Sequence, residues 1–458
     1  MRHTKIALAA LALAVLAGCG GNGASPGGNT QKVKYASQVS FGDSLSDVGS
    51  YAVGTVQKLG GGKFNINGDN SASNPALTGK NWTELMAAQL GLGAPCPAQT
   101  GLDGDASKGF AVPVVNHAGC FGYAQGGARV SNPIGGGNKA TGSALGALTV
   151  PVTVQIQNHL AAVGGKFKGD EMVFVMIGGN DVLGLLNGLQ AAATKAGTDA
   201  GAAAFAASLV PQLAAGASNV PAAMQAIGVA MATESARAGH TDDSVVGAAV
   251  LAAASQPGNA AVGAQAVYGP MVLKAKAAGE AAGIKAGADY AALHGAELVA
   301  PMAATGRELV ALVKNQLLAK GANYVVVNNV PDVATSPAGR AKSAATQQLI
   351  VAMVNAINGE LASGLAGEAK VLLVDVYAVS HDQAVNPEPY GLKNVVDMAC
   401  DLSAAKNPLG SSLGCNGSNL VAGDVSHYAF ADDVHPTPFN YLLLARYVAE
   451  KMVVKGWL

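Results

Sequence analysis

The sequence predicts an α/β protein in which helices cover both faces of a parallel sheet. Four short apolar runs are continuous rather than alternating, as expected for strands that are buried on both faces. Helical patterns separate these runs, and such an alternation of strands and helices is typical of a parallel sheet. The four predicted strands are residues 38–41, 172–177, 324–327 and 371–374.

Two helices between and after these strands can be predicted from their end signals. Residues 307–320 place leucines and valines on one face, and Gly321 supplies a stop just beyond the last turn. Near the C-terminus, Thr437 is a suitable N-cap and Pro438 a suitable first helical residue for a helix over 439–454.

One long segment does not fit a minimal α/β unit. Residues 188–304 are rich in alanine, the strongest helix former, which predicts several helices rather than another strand layer. We interpret the segment as a helical insertion packed against one edge of the sheet, and a lid over an active site is the alternative. A glycine-rich stretch at 135–146 carries no phosphate-binding or dinucleotide-binding motif and is predicted to be a loop.

Composition argues against two broad classes of protein. Charged residues make up 12% of the 458 residues, about half of the usual share. The formal net charge is −1, which argues against a nucleic-acid-binding protein with a basic surface. Hydrophobic residues reach 50%, which excludes a mainly disordered chain and supplies a sizeable core.

The first 18 residues have the pattern of a secretion signal. Arg2 and Lys5 form a positive region, and the apolar run at 6–18 is too short to cross a bilayer. We therefore expect residues 1–18 to be a signal peptide of an exported protein.

The residues that follow suggest an anchor. The run ends in Leu-Ala-Gly-Cys19, which resembles the lipobox of bacterial lipoproteins, and this makes Cys19 the predicted lipid attachment site. Residues 19–36 are rich in Gly, Asn, Ser and Pro, as expected for a flexible tether. We expect a protein attached to the bacterial cell envelope, at the outer membrane; the alternative is ordinary secretion with an incidental Cys19.

Four cysteines follow this region, and an even number in an exported chain favours two disulfides. Three pairings are open, and Cys96–Cys120 with Cys400–Cys415 is favoured because each bond closes a short loop. A zinc site is the alternative, with His117 and Cys120 in H-x-x-C spacing, but no second pair of ligands completes it. We therefore predict that the protein holds no metal.

Polar residues follow the predicted strands where open α/β sheets place their sites. Ser44 comes directly after the first strand, and Asn180 follows the second. Asp432 and His435 stand close to the C-terminus as Asp-x-x-His. A serine, an amide and an Asp–His pair together form a candidate site for acyl transfer.

These motifs resemble the conserved blocks of the GDSL, or SGNH, esterase/lipase family, in the same order along the chain. The resemblance spans the chain from about residue 39 to the end, interrupted by the alanine-rich segment. One departure is Gly122, where the family often has Asn. The matching blocks are Phe41-Gly42-Asp43-Ser44-Leu45, Gly126-Gly127, Gly178-Gly179-Asn180-Asp181 and Asp432-Asp433-Val434-His435-Pro436.

The resemblance implies a flavodoxin-like three-layer sandwich over 37–458 and hydrolysis of carboxylic esters without a cofactor. Acylglycerols, phospholipids, short aryl esters and acetylated glycans are the implied substrates. Ser44 would be the nucleophile, and the oxyanion hole would comprise the N–H groups of Ser44 and Gly127 with the Asn180 amide. The alternatives are an acyltransferase on the same fold, or a non-catalytic envelope lipoprotein with a binding or assembly role.

Elementary chemistry agrees with these roles. A serine hydroxyl is a poor nucleophile until a base takes its proton, and His435 is the candidate base. Asp432 can hold the other ring nitrogen of His435 in the productive tautomer, and Asp433 is its nearest rival. We interpret Asp43, Asp47 and Asp181 as turn-formers or supporting acceptors, and the histidines at 117, 159, 240, 294, 381 and 427 as structural.

A second serine motif is a decoy. Residues 410–414, Gly-Ser-Ser-Leu-Gly, satisfy the G-x-S-x-G pattern of α/β-hydrolases. That motif requires a strand before it and a helix after it, whereas here polar, proline-containing sequence precedes it. We therefore predict that Ser412 is not a nucleophile.

Overall fold

A computed structural model describes residues 33–68 and 79–458. The predicted signal peptide, Cys19 and the predicted tether up to residue 32 lie outside these ranges. The chain divides into two compact units: the first comprises the described residues up to Gly184 together with Glu297–Leu458, and the second is Leu185–Ala296.

The described residues form eight strands and twelve α-helices. The strands are β1 (Ser37–Gly42), β2 (Gln99–Asp103), β3 (Ala111–Asn116), β4 (Glu171–Met176), β5 (Tyr324–Asn328), β6 (Val371–Val374), β7 (Asn394–Met398) and β8 (Tyr428–Phe430). The helices are α1 (Gly54–Lys58), α2 (Trp82–Gln89), α3 (Val152–Ala162), α4 (Gly179–Ala214), α5 (Val220–Ser235), α6 (Asp242–Ala254), α7 (Gln265–His294), α8 (Val299–Leu312), α9 (Pro337–Arg340), α10 (Ala344–Gly364), α11 (Val376–Val385) and α12 (Pro438–Lys455).

The central sheet is parallel and has the strand order β1-β4-β5-β6. All four predicted strands are therefore confirmed, with ends that differ by at most one residue. An extended segment at 121–125 adds to the free side of β1: the Ser40 N–H donates to the Phe121 carbonyl at 3.0 Å, and the Tyr123 N–H donates to the Ser40 carbonyl at 2.8 Å. β1 therefore lies inside the sheet, between this segment and β4.

Apolar side chains of β4 alternate between two buried clusters, one on each face of the sheet. Val173 and Val175 pack with residues of α3, α8 and α10. Met172, Phe174 and Met176 pack with residues of α2 and α12. Because helices cover both faces, the sheet is the middle layer of a mixed α/β structure that is compatible with a three-layer fold.

Two smaller sheets complete the first unit, and the sequence did not predict them. β2 and β3 form an antiparallel pair, and β7 and β8 form a parallel pair. β3 is largely exposed and contains Pro113, so it lacks the buried apolar run by which the central strands are recognisable.

The two predicted helices of the first unit are present, one of them with altered geometry. The helix predicted at 307–320 is α8 up to Leu312, continues as a π-helical turn at Val313–Leu317 and ends in a 3₁₀ turn before Gly321, whose φ is 101°. The C-terminal helix is α12, and its Thr437 hydroxyl accepts a hydrogen bond from the Asn440 N–H at 3.2 Å.

The second unit consists of helices and overlaps the alanine-rich segment at 188–304. Its core is formed by small and aliphatic side chains such as Leu209, Ile227 and Ala249. α4 and α7 approach closely inside it, since a Cβ atom on Gly197 would lie 2.8 Å from the Gly283 carbonyl oxygen. No helix in the described part of the chain is long and apolar enough to span a bilayer.

Candidate active site

A cavity of about 420 Å³ lies along the carboxyl edge of the central sheet. Each parallel segment contributes residues to its wall immediately after it ends. Ser44 follows β1, Gly127 follows the 121–125 segment, and Asn180 follows β4. The 330–336 stretch follows β5, and one face of α11 follows β6. The volume is within the usual range for a small-molecule site.

Ser44 stands on a tight turn at the end of β1. The Asp43 carboxylate accepts a hydrogen bond from the Leu45 N–H at 3.0 Å, and the Asp43 carbonyl accepts one from the Ser46 N–H at 3.1 Å. The side chain of Gln155 bonds both the N–H and the carbonyl of Gly42, at 2.9 and 2.8 Å. These bonds hold the turn, and they leave Ser44 in the cavity wall.

His435 and Asp432 form a buried hydrogen-bonded pair. Nδ1 of His435 lies 2.8 Å from both carboxylate oxygens of Asp432. The same carboxylate accepts backbone N–H bonds from Val434, His435 and Ser412, at 3.1, 2.8 and 2.8 Å. The rival Asp433 makes no ion pair or hydrogen bond with His435 in the described structure. Asp432 is therefore the residue that orients the imidazole.

The two members of this pair shift each other's ionisation. Burial by itself raises the pKa of Asp432, but the charge and hydrogen bond of His435 outweigh it, so that the pKa lies well below the ordinary value. Burial lowers the pKa of His435, yet Asp432 and, more weakly, the charges of Asp433 and Asp43 outweigh it and hold that pKa above its ordinary value of about 6.5. His435 is thus a strengthened base.

Ser44 and His435 line the same cavity without a direct hydrogen bond between their side chains. Catalytic hydrogen bonds are often long in structures without substrate and tighten in the complex. The ring of Phe64 lies 4.8 Å from the imidazole, centroid to centroid, and limits its movement. Burial also raises the pKa of Asp43, the residue before Ser44, to about 7.

The two glycines of the glycine block have different roles. The Gly126 N–H donates to the Asp47 carboxylate at 2.9 Å, whereas the Gly127 N–H has no hydrogen-bond acceptor among residues 33–68 and 79–458. Gly127 has a φ of +79°, and a Cβ atom there would lie 2.1 Å from the Gly136 carbonyl oxygen. Only glycine fits this position, and its N–H remains available to a ligand.

Asn180 lies in the first turn of α4, where the helix dipole favours negative charge. Its amide donates one hydrogen bond to the Ala128 carbonyl at 3.0 Å, which leaves its second N–H for a ligand. The adjacent Asp181 accepts bonds from Arg129 Nε and the Val130 N–H, both at 3.1 Å. These contacts tie the loop that carries Gly127 to the start of α4.

Both disulfides favoured from the sequence are present, Cys96–Cys120 and Cys400–Cys415. Cys120 is therefore unavailable as a zinc ligand, and His117 bonds Thr100 Oγ1 through Nε2 at 2.8 Å. No cluster of three or more metal-ligating side chains occurs in the described ranges.

The decoy serine motif has a supporting position. Ser412 is fully buried in a short 3₁₀ turn rather than on a strand-to-helix elbow. Its backbone N–H is one of the donors to Asp432. The motif therefore serves the candidate site through its backbone.

Sequence reasoning missed several residues of the cavity. Phe64 and Gln383 carry no motif, and they reach the wall through tertiary contacts alone. Asp332 also lines the cavity and binds Nδ1 of His381 at 2.7 Å, a second Asp–His pair whose histidine is half exposed. In the sequence, this pair is marked only by the carboxylate of Asp332 directly after Val330-Pro331.

Comparison with known proteins finds partial sequence similarity to this chain. No family model matches the chain. One curated GDSL esterase/lipase of Arabidopsis thaliana is 27% identical over 93 residues, which cover 20% of this chain and 24% of the plant protein. A second is 31% identical over 85 residues, which cover 18% and 22%. The matches span less than a quarter of each relative. They support the resemblance to that family and suggest a lipolytic hydrolase, and they do not show a bacterial lipoprotein.

Proposed function

We propose that the protein is a serine hydrolase that cleaves carboxylic esters through an acyl-enzyme on Ser44. One observation carries the proposal: a nucleophile, an oriented base and three hydrogen-bond donors line a single cavity. The donors are the N–H groups of Ser44 and Gly127, neither of which has an acceptor among the described residues, and the second amide hydrogen of Asn180. The partial similarity to GDSL esterase/lipases supports the same reaction class.

The reaction follows from these positions. His435 Nε2 takes the proton of Ser44 as Oγ bonds to the ester carbonyl carbon, and Asp432 stabilises the imidazolium that forms. The three donors form hydrogen bonds to the former carbonyl oxygen and stabilise its negative charge. The alcohol leaves with the proton from His435, and water then attacks the acyl-enzyme by the same route in reverse. Products are a carboxylic acid and an alcohol, and Ser44 is restored.

The proposal includes a location and the finer family assignment. We place the enzyme among SGNH-type hydrolases of the bacterial envelope, anchored through a lipid on Cys19. The signal-like N-terminus and the paired cysteines of an exported chain support this location.

The test compares two serines. Ser44→Ala should lower kcat on 4-nitrophenyl butanoate by at least about 10⁴-fold, because the nucleophile is lost. Ser412→Ala keeps the backbone N–H that binds Asp432 and should retain most of the activity. A fluorophosphonate should label the wild type and Ser412→Ala, but not Ser44→Ala. Full hydrolysis by Ser44→Ala would refute the assignment, and absence of both labelling and hydrolysis in the wild type would favour a non-catalytic envelope protein.

A further inference from the structure

The α11 side of the cavity holds a buried polar side chain that the proposed reaction does not use. Val376, Val379, Ser380, Gln383 and Ala384 all line the cavity. Their spacing of three and four residues places them on one face of α11. Gln383 is the member of this face whose amide is long enough to project a donor and an acceptor into the space.

Gln383 lacks a partner although it is only 7% exposed. Its amide makes no hydrogen bond with any residue in the described ranges, and it lines the cavity. Buried polar side chains are nearly always hydrogen-bonded, and an unpaired amide is costly. Since neither amide atom of Gln383 is among the fully buried unpartnered atoms, the amide faces the cavity, where water or an entering ligand can bind it.

The neighbouring polar groups on this side have partners within the protein. The Thr335 hydroxyl donates to the Asp332 carbonyl at 2.9 Å, and the Ser336 hydroxyl donates to the Val333 carbonyl at 2.8 Å. The Ser380 hydroxyl donates to the Tyr377 carbonyl at 3.1 Å. Gln383 is thus set apart from them by its free hydrogen-bonding capacity.

Gln383 is remote from the nucleophile. Ser44 follows β1 and α11 follows β6, and these strands are three positions apart in the sheet, which corresponds to about 14 Å. Val330, Val333, Val376 and Val379 line the α11 side of the cavity. A substrate chain that runs from Ser44 toward Gln383 therefore passes apolar walls before it meets the amide.

We propose that Gln383 binds a hydroxyl group at the far end of an aliphatic chain of the substrate. A hydroxyl both donates and accepts hydrogen bonds, which matches the carboxamide. The Gln383 side chain itself spans about 4 Å of the roughly 14 Å between the two strands, which leaves roughly 10 Å for a chain of about eight carbons, given C–C bonds near 1.5 Å. The inference rests on the proposed ester hydrolysis and specifies its substrates as esters of medium-chain hydroxylated acids or alcohols.

Two matched ester pairs test the inference and identify the part of the ester that carries the hydroxyl. 4-Nitrophenyl octanoate and 4-nitrophenyl 8-hydroxyoctanoate vary the acyl chain, and octyl acetate and 8-hydroxyoctyl acetate vary the alcohol. 4-Nitrophenyl acetate reports on the chemistry alone, because it is too short to reach Gln383. The variants are Gln383→Met, which removes the amide, Gln383→Glu, which keeps an acceptor, and Thr335→Val as the matched control, with thermal unfolding to verify folding.

The wild type should favour the hydroxylated member of one pair by about tenfold in kcat/KM. Gln383→Met should reduce that ratio to about one, through KM, while 4-nitrophenyl acetate hydrolysis stays unchanged. Gln383→Glu should retain part of the preference for the hydroxylated ester, and Thr335→Val should retain all of it. A wild-type kcat/KM ratio near one in both pairs, or a ratio that persists in Gln383→Met, would overturn the inference. Ser44-dependent hydrolysis of 4-nitrophenyl acetate would in either case still support the proposed function. Absence of that hydrolysis would instead overturn the proposed function and the inference with it.

Discussion

The carboxylates of Asp432, Asp433 and Asp43 all raise the pKa of His435, and they do so in different ways. Asp432 binds Nδ1 directly, whereas Asp43 acts on the imidazole through space and raises its pKa. A protonated His435 cannot accept the Ser44 proton. Activity should therefore appear as the pH rises through a midpoint above about 6.5, the ordinary histidine value.

The variant Asp43→Asn isolates the through-space effect of Asp43 on the pKa of His435. Removing this carboxylate, which is only partly ionised near its own pKa of about 7, should lower the pKa of His435 and move the acid limb of kcat/KM to lower pH, because a lower pH is then needed to protonate the imidazole. The measurement is a pH–rate profile of wild type and variant, with the exposed Asp103→Asn as control. An unmoved limb, or one displaced to higher pH, would contradict this account of the site.

Asn180 tests the oxyanion hole at the same scale. Asn180→Ala should lower kcat by about 10²–10³-fold with little change in KM, because the donor acts on charge that develops only in the transition state. Asn180→Asp should be at least as harmful, since it places a negative charge where the oxyanion forms. Steady-state kinetics on one aryl ester decide the matter, and a kcat close to wild type in either variant would remove Asn180 from the catalytic machinery.

At the scale of elements, the 400–415 loop, whose Ser412 N–H bonds the Asp432 carboxylate, is closed by a disulfide. Cys415 follows the turn that carries Ser412, whose N–H bonds the Asp432 carboxylate at 2.8 Å, and Cys400 follows β7. The covalent bond therefore acts on the Asp432–His435 pair through one short turn.

Removing this disulfide should affect stability and chemistry together. Cys400→Ser with Cys415→Ser opens a loop of 15 residues, which is worth about 3 kcal/mol in the free energy of unfolding. A loosened Asp432 should also lower the pKa of His435 and move the acid limb to lower pH. The control is Cys96→Ser with Cys120→Ser, which should lose stability and keep the limb in place. Denaturant unfolding and pH profiles give both readouts, and equal pH profiles for the two double variants would contradict the link.

At the scale of the whole molecule, one buried histidine makes stability depend on pH. His159 is fully buried among aromatic rings, and neither ring nitrogen has a hydrogen-bond partner. The centroids of the Phe167 and Tyr123 rings lie 4.7 and 5.3 Å from its own. Burial, with a smaller contribution from the charge of Lys168, lowers its pKa to about 4.

The free energy of unfolding should therefore fall as the pH drops from about 6.5 to about 4. In this window the unfolded chain binds a proton at His159 and the folded chain does not, whereas above it both are neutral. The loss reaches roughly 3 kcal/mol at the acid end. His159→Phe should reduce the loss, while the exposed His240→Asn should not; urea unfolding at pH 7.5 and 4.5 measures both. An identical decline in wild type and His159→Phe would contradict the assignment.

The sequence predicted the parts of the molecule whose signal is local. The four central strands are continuous apolar runs, and Thr437-Pro438 marks the start of α12 within the chain itself. The sequence did not predict the 121–125 segment beside β1, because this segment contains glycine and polar residues. The sequence also did not predict the positions of Gln383 and the Ser412 N–H, because these depend on contacts with residues that are distant along the chain.

The cavity draws its wall from five parallel segments, and each supplies a separable part. The segments nearest β1 supply the proposed nucleophile and donors, whereas the 330–336 stretch and α11 supply the walls at the far side. If the proposed ester hydrolysis holds, substitutions on α11 should change which esters are accepted without altering the residues proposed to cleave them. For protein engineering, this division of labour makes α11 the segment to randomise when a new substrate range is sought at undiminished turnover.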